Sequence, residues 1–111
     1  MAKDLKNMLT ELLTTWNNYE KQGTLPWTRE IAARDLQYQI GSLSKLILQL
    51  ENYRYRGGLD ESQIKSKMAD ELADILAEVL FIANGYEIDM EKAWDDMLAS
   101  DRRKIAERTK S

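Results

Sequence analysis

The sequence contains no cysteine and no histidine, and it has only one proline and five glycines in 111 residues. Without cysteine there are no disulfides, thiolate nucleophiles or soft-ligand zinc sites. Without histidine there is no imidazole base, no Ser-His or Cys-His nucleophile and no usual zinc ligand set. Any metal chemistry therefore falls to oxygen ligands, which favour Mg²⁺, Mn²⁺ or Ca²⁺. No apolar run approaches the roughly 20 residues that span a bilayer. The opening "MAKDLKNMLTELL" also lacks the apolar stretch of a signal peptide. A cytoplasmic protein with no membrane partner is expected. The net charge of −3 lacks the basic excess of a general nucleic-acid binder.

What remains is 43% hydrophobic and 32% charged, the balance of a helical globular domain. The length suits one domain over 1–111 and is too short for two independent cores. Leu5, Met8, Leu9, Leu12, Leu13, Trp16 and Tyr19 recur at helical steps. This first helix should end near Gly23. "GTLPWT" then provides Thr28 as the N-cap of a second helix, with Trp27 packing over the junction. In that helix Ala33, Leu36, Ile40, Leu43, Ile47 and Leu50 step by 3, 4, 3, 4, 3, the pattern of a bundle seam. Gly57 and Gly58 should break it, and Asp60 with Gln63 should open a third helix through a capping box. Ile64, Met68, Leu72, Ile75, Leu76, Val79 and Ala83 give the third helix a wide apolar face, with Asn84-Gly85 as its left-handed stop. Asp89 can cap a fourth helix carrying Trp94, Met97, Leu98 and Ile105. These patterns predict an all-α, four-helix bundle. Leu46 and Leu48 widen the apolar surface of the second helix, so a homodimer is expected.

The chemistry sits on the third helix, in "MADELADILAEVL". Glu71, Asp74 and Glu78 fall at i, i+3 and i+7, on one side and at the border of the apolar arc. Carboxylates there can point along a groove, where a bound dication relieves their repulsion and desolvation. Spacing alone is equally compatible with solvated margin residues balanced by Lys65 and Lys67. In "NYRYRGG", Tyr53, Arg54, Tyr55 and Arg56 can stack on a base or grip phosphate, or can simply close the helix C-terminus. The basic end "DRRKIAERTK" can be read as a phosphate contact or as charge complementing the helix dipole. Trp16, Trp27 and Trp94 suit junction packing, with a nucleobase contact as the other reading.

The order of these pieces resembles the MazG-like nucleotide pyrophosphohydrolases. The segments that carry the likeness are "LQYQIGSL" (36–43), "RYRGG" (54–58), "ELADIL" (71–76) and "IDMEKAW" (88–94), within a span of roughly 28–104. The resemblance implies an all-α fold and hydrolysis of a nucleoside triphosphate to the monophosphate and pyrophosphate. It also implies Mg²⁺ held by an E-x-x-E pair on one helix and an E-x-x-D pair on the next. Glu71 and Asp74 match the second pair, with Asp70 and Glu78 as possible support. The first pair falls on Gln39 and Ser42, and the preceding glutamate falls on Tyr38. The family's lysine and asparagine near the phosphates fall on Met97 and Asp101. Arg54, Arg56 and Asp101 are the candidate phosphate or nucleotide contacts.

The second helix thus lacks three carboxylates, and paired dications need several anionic oxygens to offset their dehydration. The expectation is a MazG-like protein with a degraded Mg²⁺ site and weak or absent metal binding. It would have little or no hydrolysis, no assigned catalytic side chain, and a role in binding nucleotides or other proteins. The alternatives are an active Mg²⁺-dependent pyrophosphohydrolase and a helical adaptor for a partner helix.

Overall fold

The computed structural model describes residues 3–110. Four helices follow one another: α1 (Leu5–Lys21), α2 (Arg29–Leu50), α3 (Glu61–Gly85) and α4 (Met90–Lys110). No strand occurs among the described residues.

Their starts follow the capping chemistry. Asp4 and Thr28 accept from the backbone N–H groups of Asn7 and Ile31. Asp60 and Gln63 form the reciprocal capping box of α3. Asp89 Oδ1 accepts from Glu91 N at 3.0 Å and Lys92 N at 3.1 Å. The helix ends share one device. At α1, α2 and α3 a left-handed residue (Gly23, Asn52 and Glu87) lets the next N–H return to the carbonyl of the third-last helical residue (Tyr19, Leu48 and Ala83).

Two expected stops are corrected by this. Helix α2 ends at Leu50 through Asn52, and Gly57 and Gly58, both with positive φ, shape the later turn instead. Helix α3 continues through Asn84-Gly85, and Glu87 is the left-handed residue. Gly85 has another duty. A Cβ there would come within 2.5 Å of Arg29 Cδ. The Arg29 side chain crosses this point to donate from Nη1 to Gly85 O at 3.1 Å, and its guanidinium lies 4.3 Å over the Tyr86 ring. The start of α2 is thereby clamped to the end of α3, and the two run antiparallel.

The core lies between these two helices, with Ala32 and Leu46 from α2 and Ile64, Leu80 and Ala83 from α3. Full burial of Ile64 alone contributes about 2 kcal/mol. The expected α2 seam is rotated by one residue. Ile40 is 47% and Ile47 41% exposed, whereas Leu46, expected on the flank, is buried. The line facing α3 is Ala32, Asp35, Gln39, Ser42, Leu46 and Gln49, each of them buried or half-buried. It has the same 3-4 spacing but carries four polar side chains.

Helix α1 rests on α3 without a fully buried residue of its own. Trp16 anchors it, with ring centroids 5.4 Å from Trp27 and 5.0 Å from Phe81. No residue of α4 from Met90 to Thr109 is buried. No described helix is long and apolar enough to cross a membrane.

Candidate active site

Both helices rise 1.5 Å per residue, so counting inward from the Arg29–Gly85 clamp sets the level of each side chain. Asp35 falls level with Glu78, Gln39 with Asp74 and Ser42 with Glu71, to within one residue. The electrostatics agree with the first rung. Glu78 is 3% exposed, and burial, a hydrogen bond with Asp35 and the charges of Asp35 and Asp74 push its carboxyl up to about 8. At neutral pH Glu78 is thus mainly protonated and donates to Asp35. The reading of Glu78 as a solvated margin residue is overturned by this burial.

Glu71 is half-buried and also raised, by desolvation first and then by Asp74, Asp70 and Asp35. One oxygen each of Glu71 and Glu78, and the carbonyl oxygen of Gln39, is buried without a hydrogen-bond partner. The amide of Gln39 donates to Asp35 Oδ2 at a long 3.4 Å. Asp74 is exposed at the rim.

All of these groups but Glu71 line a cleft of about 650 Å³, within the usual range of small-molecule sites. Asp35, Gln39, Asp74 and Glu78 line its polar end, and Trp16, Tyr19, Trp27 and Ile31 line the remainder together with Glu20, Thr24 and smaller apolar residues. An anionic floor therefore continues into an aromatic wall under α1.

The other candidate residues lie elsewhere. Tyr38 is 69% exposed and does not line the cleft. Ser42 is half-buried on the inward line. Arg56 is occupied structurally, donating to the carbonyls of Gln49 at 3.1 Å and Leu50 at 2.8 Å. Gln49 Nε2 holds the carbonyl of Tyr55, so the loop leaves Arg54 exposed beside Tyr53 and Tyr55. Asp101 and Met97 are exposed on α4, and Asp70 is exposed on α3. Asp35 was missed in the sequence. Its signal was present, because it precedes Gln39 by one turn just as Glu78 follows Asp74 by one turn.

The family model of the MazG nucleotide pyrophosphohydrolase domain matches residues 43–111, well over half of the chain. The chain belongs to that family. No curated protein and no solved structure matches it. The matched span takes in the α3 acids of this MazG domain and begins just after Ser42, so Asp35 and Gln39 stand outside it.

The family implies a dication. The donors here are carboxylates and one amide oxygen, the chemistry of a hard ion. Two orphaned buried oxygens at the polar end, Gln39 Oε1 and Glu78 Oε2, are what such an ion would satisfy. No group of three or more acids among the described residues is already arranged to hold one. The donor set therefore suits a hard ion in ligand type alone, and not in arrangement.

Proposed function

We propose that this MazG domain binds a nucleoside triphosphate in the cleft under α1 and hydrolyses it with Mg²⁺ at a carboxylate set displaced by one helical turn. The observation that carries this is the Asp35–Glu78 rung. Of the inward positions on α2, Gln39 and Ser42 are neutral, whereas Asp35 supplies a carboxylate one turn away, facing Glu78 and Asp74 from α3. An α2 half carried by Asp35 in place of Gln39 and Ser42 supports the active reading over the degraded one.

Asp35, Asp74, Glu78 and Glu71 are the residues that would hold Mg²⁺, with the Gln39 carbonyl as a neutral ligand. When bound, the ion supplies charge neutralisation for the phosphates and lowers the pKa of a water. The chain itself contributes the rest. The Arg29 clamp sets the register of the facing acids, burial holds the Glu78 carboxyl above its ordinary range beside Asp35, and the aromatic end offers a stacking surface to the nucleoside.

The test is pyrophosphate release from a panel of canonical and modified triphosphates with Mg²⁺ or Mn²⁺. Asp74→Asn and Asp35→Asn should each lower turnover by about 100-fold or more, whereas Tyr38→Phe should stay within about twofold. Wild-type activity in Asp35→Asn would remove Asp35 from the site, and absence of turnover in the unmodified chain would restore the degraded reading.

The assembly expected is a homodimer. The radius of gyration is 18.0 Å, against roughly 13 Å for a compact domain of this length. Helical phase puts Ile40, Ile47 and Leu72 on the side of the α2–α3 pair away from Asp35 and Asp74, and Leu72 is 52% exposed. Trp94, Met97 and Ile105 are likewise open on α4. A second copy covering this surface accounts for an α4 that buries nothing by itself.

A further inference from the structure

The walls of the cleft are unequally held. Its α2 and α3 sides are fixed by the buried Ala32, Leu46, Ile64 and Leu80 and by the Arg29 clamp. The α1 side has no buried residue. Besides the main cleft, α1 borders two further voids. One, of about 320 Å³, lies beside Met8, Leu12 and Leu76, and the other, of about 290 Å³, beside Leu5, Leu9 and Leu80. An amphipathic helix bordered by such solvent-open grooves makes fewer dispersion contacts than a fully seated helix.

The polar inventory points to the same wall. Five buried polar side-chain atoms among the described residues have no partner, and three of them (Trp27 Nε1, Gln39 Oε1 and Glu78 Oε2) belong to residues lining this cleft. Each carries a desolvation penalty with nothing in return. The ligand-free arrangement is therefore poorly satisfied around this cleft, beside a helix that has no fully buried residue. The connection to α2 contains Gly23, with φ of +109° and open space around it.

We infer that α1 is a moving wall: a nucleoside entering the aromatic end draws α1 onto α3, and an acceptor oxygen of that ligand takes the Trp27 indole N–H. This rests on the nucleotide reading above. Trp16 provides the contact by which ligand occupancy is felt along α1, because its ring touches both Trp27 and Phe81. Movement toward α3 also closes the two smaller voids, so ligand binding and helix seating reinforce each other.

Amide hydrogen exchange tests this on the intact chain, with ATP, GTP, CTP and UTP plus Mg²⁺ as probes and calorimetry reporting binding. At saturation the amides of residues 5–21 should slow by about tenfold or more, while those around Ile64 and Leu80 stay unchanged. Binding with unaltered α1 exchange overturns the moving wall. Trp27→Phe, which keeps the ring and removes the N–H, should weaken the tightest probe by about fivefold. Equal affinity overturns the indole contact. In the ligand-free protein, Ala77→Leu and Ala77→Phe place atoms in the cleft and should slow α1 exchange in that order while blocking the probes. Circular dichroism checks that both variants remain helical. Faster or unchanged α1 exchange in the folded variants overturns the proposal even if no triphosphate binds, an outcome that would sink the nucleotide reading separately.

Discussion

The two faces of the α2–α3 pair are built from interleaved residues of the same helices, yet they solve different problems. One face gathers Asp35, Gln39, Asp74 and Glu78 beneath α1, where polar atoms are buried faster than they are paired. The other collects Ile40, Ile47 and Leu72, where apolar area is left in water. Neither is at its free-energy optimum in the isolated chain. The first lacks cations or hydrogen-bond partners, and the second lacks cover. Stability at each face is thus tied to something that binds there.

Charging the apolar face gives the largest expected effect. Ile47→Glu with Leu72→Glu buries four carboxylates in a two-fold interface and should weaken self-association by more than about 1,000-fold, measured by sedimentation. The cleft on the opposite face, proposed to take the nucleotide, should keep its affinity. An unchanged sedimentation coefficient would separate α4's open surface from any dimer.

The acidic face should show itself through pH. The Glu78 carboxyl is raised from an ordinary 4.5 to about 8, so the folded chain holds this proton more tightly than the unfolded chain does. Its contribution is complete below about pH 4.5, fades as pH rises toward 8, and is then constant. The span is on the order of 5 kcal/mol. Glu78→Gln keeps a neutral side chain at all pH values and should flatten this slope, with its greatest stabilisation above pH 8 in denaturant titrations.

The two faces also differ in how plainly they can be read from the sequence. Caps were legible because their chemistry is local: Thr28, Asp60 with Gln63, and Asp89 act within four residues. The four helices and the family likeness were legible for the same reason, in periodicity and in the ELAD segment. The choice of inward line on α2 was not local. Ala33–Ile40–Ile47 and Ala32–Gln39–Leu46 obey the same 3-4 rule, and hydrophobicity favours the former. The latter turns inward because Arg29 and Gly85 fix the pairing from 56 residues apart. Asp35 and the burial of Glu78 were hidden by that same choice. Gly85 looked like a helix stop, because in a sequence a glycine for close approach and a glycine for left-handed backbone are the same letter.

The smallest effect concerns the clamp that orders both faces. Gly85→Ala drives a methyl group into the Arg29 stem and should cost about 1–2 kcal/mol in thermal or denaturant unfolding. The double variant with Arg29→Ala should recover part of this loss, since the obstructing side chain is then gone.

Two parallel-sided rods of opposite polarity act as a sliding rule, because their geometry repeats every 5.4 Å. A chemical function graduated along such a rule can be re-marked at the neighbouring division by exchanging a few letters, with the rods left uncut. On the proposed function, the step from Gln39 and Asp74 to Asp35 and Glu78 is one such division, a change along the helix axes that leaves the packing across them intact.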